Sequence, residues 1–415
     1  MGELKEAIGN IAQTGHAVNY LKFRKNSLTI FPAFLLDGLD VTHLIAHHCN
    51  ISSIEETAFI GLSDKVPTKS LEKLTFLVSL HLNYNNIQVL HYGAFRGLIS
   101  LLRLSLYGNK IKTIDPNVFH GIGGNLTRIN LGANQLTSID SSSFFNLTTL
   151  KRLQLHENRI TSIDVNTFKG FSASDSLDAL NLASNNIKEI PEKSFQSLSS
   201  LNSLALEKNR ISAIHPFAFQ GIEDSLEWLT LGDNILNSIP SYALQNLTRL
   251  RQLDLRGNNI TIVEENSFKD FGGNLKFLYL KNNRIKIIET GAFDKLISLE
   301  WLYLDSNQLI KLSHETFYPI IDSLKVLDLH DNPFVCHCGL VWFSEWVRDE
   351  GKSIVNMPDK TECQLTPDSP KKMPIREMKS SLLDCVNLAI QQKPETTIYF
   401  ILFNIAHFLV GYLQL

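Results

Sequence analysis

Cysteine is sparse in this chain, and no excess of charge is present. Five cysteines are few for 415 residues, and a net charge of −3 points to neither nucleic acid nor a polyanionic surface as partner. Catalytic signatures are missing too: there is no G-x-S-x-G, no H-E-x-x-H and no Walker loop. The 13 histidines are scattered, with His47 and His48 beside a degenerate strand, and no acid–base pair recurs at reactive spacing. These absences argue for a chain that is not an enzyme and that needs no cofactor and no metal. The start of the chain also lacks something. Met1 to Gln13 has no apolar core of signal-peptide length, and Gly2 lacks the Ser or Thr at the sixth position that myristoylation requires. Together with the features below, this reads as a surface chain truncated at its start, against the alternative of an intracellular protein.

What is present is a repeat. Leu250-Arg251-Gln252-Leu253-Asp254-Leu255-Arg256-Gly257-Asn258-Asn259-Ile260 and Leu299-Glu300-Trp301-Leu302-Tyr303-Leu304-Asp305-Ser306-Asn307-Gln308-Leu309 share the pattern L-x-x-L-x-L-x-x-N-x-L. Units begin at Leu77, Leu101, Leu126, Leu150, Leu177, Leu201, Leu226, Leu250, Leu275, Leu299 and Leu324, mostly 24 or 25 residues apart, with earlier ones at Val18 and Val41. A length that would suggest two or three domains is therefore read as one array growing along an axis. The L-x-L alternation predicts a short strand with leucines inward. The Asn, from Asn85 and Asn109 through Asn307 and Asn332, falls where the chain leaves the strand, and its buried amide is placed to bond neighbouring coils. Cys49 takes that place in the second unit and is expected to be a buried ladder residue. A phenylalanine recurs on the far side, at Phe95, Phe119, Phe144, Phe168, Phe195, Phe219, Phe268, Phe293 and Phe317, with Leu244 replacing one, and predicts an aromatic spine.

The array has a defect. Val41 to Leu77 spans 36 residues, and about 12 residues of a unit, its strand and Asn, are missing near 63–66. A coil without its strand is expected to leave neighbouring sheet edges unpaired. No cysteine-bonded cap precedes Val18, so that end is expected to expose core.

The other four cysteines crowd together as Cys336, Cys338, Cys363 and Cys385. Cys336 and Cys338 are too close to pair comfortably with each other, and three pairings of the four exist. A zinc site competes, although C-x-x-C spacing is missing. Trp342 and Trp346, four apart, predict a helix sealing the last coil. Five glycosylation sequons start at Asn50, Asn125, Asn146, Asn246 and Asn259. After a polar spacer, the 18 residues from Ile398 to Leu415 carry no Lys, Arg, Asp or Glu. A spanning helix needs roughly 20 apolar residues and basic cytoplasmic flanks. A glycosylphosphatidylinositol signal fits better, with Asn387 as the attachment residue.

The repeat resembles the extracellular 24-residue class of the leucine-rich-repeat family over about Val18 to Cys385. The resemblance implies an α/β fold: a right-handed, horseshoe-shaped solenoid with a parallel sheet on its concave face. Asn332-Pro333-Phe334-Val335-Cys336-His337-Cys338, followed by Cys363 and Cys385, is similar to that family's small disulfide-bonded C-terminal cap. By that resemblance Cys336 pairs with Cys363, and Cys338 with Cys385. Array, cap and anchor tail together resemble the chaoptin-like surface proteins, which implies adhesion between cells. The expected organisation is a remnant at 1–17, the array at 18–332, the cap at 333–386, and spacer plus anchor signal at 387–415. The expected location is the outer face of the plasma membrane.

In each strand the third, fifth and seventh positions face out of the sheet, and like positions in adjacent units form columns about 4.8 Å apart. The third column brings together Arg103, Arg128 and Arg152, a stack suited to an acidic partner. Further along, Trp228, Phe277, Tyr279, Trp301 and Tyr303 form an aromatic patch with Asp254, Arg256, Lys281 and Asp305 at its rim. A solvated face is the alternative for the arginines, and mutual packing for the aromatics. The expected partner is a protein ligand or a surface protein on another cell, with a homodimer as a further arrangement and the membrane reached through the C-terminal anchor. Two other functions suit the same fold. One is a non-catalytic regulatory subunit of a secreted enzyme. The other is the ectodomain of a Toll-like receptor lacking its cytoplasmic part.

Overall fold

The computed structural model describes residues 2–13, 18–25, 27, 29–31, 39, 41–54, 77–92, 94–95, 98–171, 176–349, 351–365 and 371–379. From Leu77 onward each L-x-L segment is a three-residue strand whose middle residue is buried, as in Arg103–Ser105, Arg152–Gln154 and Phe277–Tyr279. These strands stack side by side into one 14-stranded sheet that starts at Val18–Arg24 and ends at Val355–Asn356. Neighbours pair in parallel and in register, so Arg103 stands beside Arg128, Arg128 beside Arg152, and Phe277 beside Trp301. The result is the parallel-sheet solenoid that the repeat predicts.

The ladder asparagines lock one coil to the next. Asn209 donates from Nδ2 to the carbonyls of Leu182 and Leu206, both at 3.0 Å, and its Oδ1 accepts from the Ile187 amide at 3.1 Å. Asn258 and Asn307 repeat the arrangement. The residue just before each ladder position adopts the left-handed conformation. Tyr84, Ala133, Glu157, Lys208 and Asp233 do so with φ between 51° and 55°, and Gly108 and Gly257 with 71° and 64°. A non-glycine residue there is strained by about 1–2 kcal/mol. The buried amide bonds that follow offset that cost. Cys49 is buried at its ladder position, its amide donating to Asn85 Oδ1 at 2.8 Å and its thiol to the His47 carbonyl at 3.4 Å.

Opposite the sheet the phenylalanines stack at 5.6–6.3 Å between centroids, from Phe95 through Phe119 and Phe144, and from Phe268 through Phe293 to Phe317. Phe171 enters this spine between Phe144 and Phe168, where the unit is longer, and Leu244 is buried in place of a ring. Trp342 continues the line 6.2 Å from Phe317. It lies on the cap helix Val341–Asp349, donates from its indole N–H to the Leu312 carbonyl at 3.2 Å, and is followed by Phe343 and Trp346. Cys336 and Cys363 form a disulfide, which consumes two of the thiolates that a zinc site would need. Cys338 is also disulfide-bonded; Cys385, its implied partner, lies outside the described residues.

Two expectations fail. The 36-residue interval does not leave open sheet edges, because Val41–His47 pairs directly with Ser79–His81, His43 beside Ser79 and Leu44 beside Leu80. Asn85 also reaches back to the Ala46 carbonyl at 2.7 Å. Strand pairing depends on the register of the two strands and not on the length of chain that returns between them. Residues 63–66, the expected place of the missing strand, lie outside the described residues. At the N-terminus, Gly2–Gln13 is a helix whose Ile8 is buried in the continuous core, with Ala12 packed against it, so this end has apolar cover of its own.

The ladder makes a direct prediction. Asn209→Ala abandons a buried N–H and two carbonyls, and should cost about 3 kcal/mol. Lys188→Ala, at an exposed position of the preceding coil, should cost under about 0.5 kcal/mol. Urea midpoints of the two variants check this; an Asn209 variant as resistant as the parent would show that the amide does not hold the coils.

Candidate functional site

The inward half of each strand is spent on the core, so the groups free to meet a partner on this face are those of the outward columns. In the third column Trp228 and Phe277 stand two strands apart with Gln252 between them, and their rings still approach to 6.1 Å, nearly parallel. Phe277 meets Trp301 edge to face at 4.9 Å. In the fifth column Tyr279 and Tyr303 stack at 5.0 Å and 10°. Lys281 places its ammonium 5.7 Å from the Tyr303 centroid. All five predicted aromatics are therefore brought together. They pack on one another, which fixes their orientation, and they keep outward surface: Trp301 is 36% exposed and the other four are partly exposed. A rigid aromatic sheet loses little side-chain entropy when a partner covers it.

The charged rim is a correction. Asp254 is only 4% exposed and lies in the floor, in register with Tyr279, bonded to the Arg256 amide at 3.0 Å and ion-paired to its guanidinium at 3.4 Å. Asp305 is also buried, and its Oδ1 has no hydrogen-bond partner among the described residues. Burial pushes both carboxyls above the usual carboxylate range, with Asp328 adding to the effect on Asp305. The hydroxyls of Tyr279 and Tyr303 are raised by burial and by neighbouring acids and phenols.

Arg103, Arg128 and Arg152 do not join this patch. They form a second cluster on the same face, separated from Trp228 by Ala179 and Ser203 in the third column, which is three strand steps or about 14 Å. All three are exposed.

The seventh and eighth positions hold a feature that the third and fifth columns do not reveal. His48 stacks on Tyr84 at 5.0 Å, Tyr84 meets Tyr107 edge to face at 5.4 Å, and Tyr107 stacks on His156 at 5.7 Å. The glycines between them leave room for the rings. A Cβ on Gly108 would lie 2.7 Å from Tyr84, and one on Gly132 2.5 Å from His156. Beside this line His47 and His81 are 6.4 Å apart. Burial lowers both imidazoles first; His48 and Arg24 add to the effect on His47, and His47, His43 and Arg103 to that on His81. Reading the seventh column down the sequence would have found His47, Tyr107 and His156.

Of the sequon asparagines, Asn50, Asn125, Asn146 and Asn246 are exposed and Asn259 is partly buried. Asn387 and the apolar run 398–415 lie outside the described residues, among which no helix is long and apolar enough to cross a membrane.

Family models agree with the architecture. The BspA type leucine rich repeat region matches residues 169–300 and 263–334, and the leucine rich repeat model matches 75–123 and 124–179. Vasorin of Xenopus tropicalis is 37% identical over 68 residues, a stretch that covers 16% of this chain and 10% of vasorin. Among solved structures, a chain of the octameric complex of Latrophilin 3, Unc5D and FLRT2, in which FLRT2 is the LRR component, is 26% identical with a TM-score of 0.61. The match covers 74% of this chain and 91% of that one. A chain of the Toll–Spatzle complex of Drosophila superposes with a TM-score of 0.69 at 21% identity over 88% of this chain and 51% of its own length, a likeness of fold.

The buried acid yields a pH prediction. A carboxyl with a raised folded value is penalised when ionised, so the penalty is present at neutral pH and disappears as pH falls through that value. Asp305→Asn should therefore raise the thermal midpoint at pH 7 by about 2 °C, with the gain shrinking to nothing in strong acid. Melting curves across pH decide it; a gain that grew in acid would reverse the sign assigned to Asp305.

Proposed function

This chain belongs to the leucine-rich-repeat proteins, and from that premise we propose that it is a non-catalytic cell-surface scaffold that holds a protein partner on its concave face in contacts between cells. The aromatic patch of Trp228, Phe277, Tyr279, Trp301 and Tyr303 carries the proposal. Large aromatics at the centre of an interface contribute a disproportionate share of binding energy, and here they stand preorganised on a sheet whose register admits no slippage. Arg256 and Lys281 supply polar contacts at their margin. The FLRT2-containing complex supports a multiprotein setting for this architecture. Sequons at Asn50, Asn125, Asn146, Asn246 and Asn259, the paired cysteines of the cap, and the apolar tail after Asn387 favour an extracellular, lipid-anchored molecule.

The test is expression of the full chain behind a signal peptide on otherwise non-adherent cells. Glycosylated protein should appear at the surface and be released by phosphatidylinositol-specific phospholipase. Cells displaying it should aggregate with each other or with a partner line, and Trp301→Ala combined with Tyr303→Ala should weaken that contact at least about tenfold without lowering surface levels. Adhesion unaffected by the pair of substitutions would remove the aromatic patch from the mechanism. Surface protein that promotes no contact but captures a soluble protein would make this a subunit of a secreted assembly instead.

A further inference from the structure

Charge is handled in two opposite ways on neighbouring columns of one sheet. At the second position of the later units stand Glu227, Arg251, Lys276, Glu300 and Lys325. Opposite signs there satisfy each other: Arg251 pairs with Glu227 at 3.2 Å, Lys276 with Glu300 at 2.8 Å, and Lys325 with Glu300 at 2.7 Å. Glu300 is held down to about 2 by hydrogen bonds from Lys276 and Lys325. One column over, in the earlier units, Arg103, Arg128 and Arg152 stand in register with one another, like beside like. Among the described residues none of the three has an ion pair. Glu157, five positions beyond Arg152, is engaged with Tyr107. Arg103 adds, after burial and the histidines His47 and His43, to the lowering of the neighbouring His81 imidazole. Three exposed guanidiniums carried by strands about 4.8 Å apart repel each other, in a fold that elsewhere interleaves acids on neighbouring strands.

We propose that the Arg103–Arg128–Arg152 ladder is a docking surface for an extended acidic segment of a protein partner, with carboxylates at alternate positions. The proposal rests on the concave face being the binding face. The guanidinium fork matches a carboxylate bidentately. An extended chain presents same-side residues about 6.8 Å apart, within reach of guanidiniums on flexible stems one or two strands apart. Two residues along two of the same strands stand Asn130 and Gln154, neutral, partly exposed and able to hydrogen-bond to peptide, whereas Ser105 is buried and donates to Asn83 Oδ1. The surroundings suit nucleic acid less well. Single-stranded nucleic acid is held by aromatic platforms interleaved with the charge; the ladder's own column is flanked by Ser79 and Ala179, and the nearby rings of Tyr84, Tyr107 and His156 pack on one another four or five positions further along their units.

The experiment uses the full chain and a labelled Glu-Ser-Glu-Ser-Glu-Ser peptide, with oligothymidine and a heparin oligosaccharide as competitors. The peptide is expected to bind in low salt and weaken as salt rises. Arg128→Glu should reduce its affinity at least about tenfold, while the thermal midpoint stays level or rises, because the substitution places an acid between two arginines. Equal affinity for parent and variant would overturn the proposal, and so would a lowered midpoint in Arg128→Glu, which would reveal a structural partner. Tighter binding of oligothymidine or heparin than of the peptide would reassign the ladder to that polyanion. Trp301→Ala separates the two readings. A peptide that fails to bind while Trp301-dependent adhesion persists sinks the acidic-segment proposal alone; loss of both sinks the concave-face reading with it.

Discussion

From Asn85 to Asn332, each coil of this molecule is held to the one before it by one buried amide. The ladder asparagine donates to the carbonyls of its own strand and of the preceding coil, and accepts from an amide beyond the preceding turn, so one side chain answers three backbone groups that the core would otherwise leave unpaired. Apolar stacking alone fixes neither register nor direction, because leucines slide. The amide is directional, and its recurrence from Asn85 to Asn332 places every strand one step from its neighbour. The left-handed residue before it follows from the same demand. The chain must turn sharply out of the strand to aim the amide inward, and it does so whether the residue is Tyr84, Ala133, Glu157 or Lys208.

Fixed register turns the surface into a grid. A residue at the third position of one unit has a known neighbour in the next, so a substitution pattern along the sequence becomes a spatial pattern across the sheet. The phenylalanine spine on the opposite wall keeps the coils parallel there, and Trp342 extends it into the cap. The cap's strand Val355–Asn356 then pairs with Val326–Asp328, and Asn356 donates to Asp328 at 2.6 Å, so the last edge of the sheet is closed by a strand of another kind.

Much of this was legible before any coordinates, because a period of 24 or 25 residues states each position many times over. The ladder, the spine and the column neighbours follow from it, and the sealing tryptophans from their spacing of four beyond the last unit. Features without a repeated signal were not legible. The left-handed turn recurs, but seven different side chains serve it among Tyr84, Ala133, Glu157, Ser184, Lys208, Asp233 and Asn282, so composition hides it. The burial of Asp254 against Arg256 of its own unit does not show in the column pattern, which places both as outward residues. Phe171 sits where the unit lengthens, and its place in the spine shows only in three dimensions. The direct pairing across the 36-residue interval was missed for a related reason: the sequence counts residues between strands, while the sheet responds only to strand register.

The same grid explains why the two clusters proposed for binding stand out from the rest of the sheet face. Inward positions are committed to the core and ladder positions to backbone. The second column is largely balanced among its own charges in the later units. What remains able to gain from a partner is surface whose energy is not yet satisfied inside the molecule: aromatic faces still partly wet, and guanidiniums with no opposite charge beside them. The two differ in what they contribute. Removing aromatic area from water slows dissociation, whereas an unbalanced row of like charge acts at a distance and accelerates encounter. Set about 14 Å apart on one rigid sheet, they suit a single partner that is drawn in by its acidic segment and retained by contact with the rings.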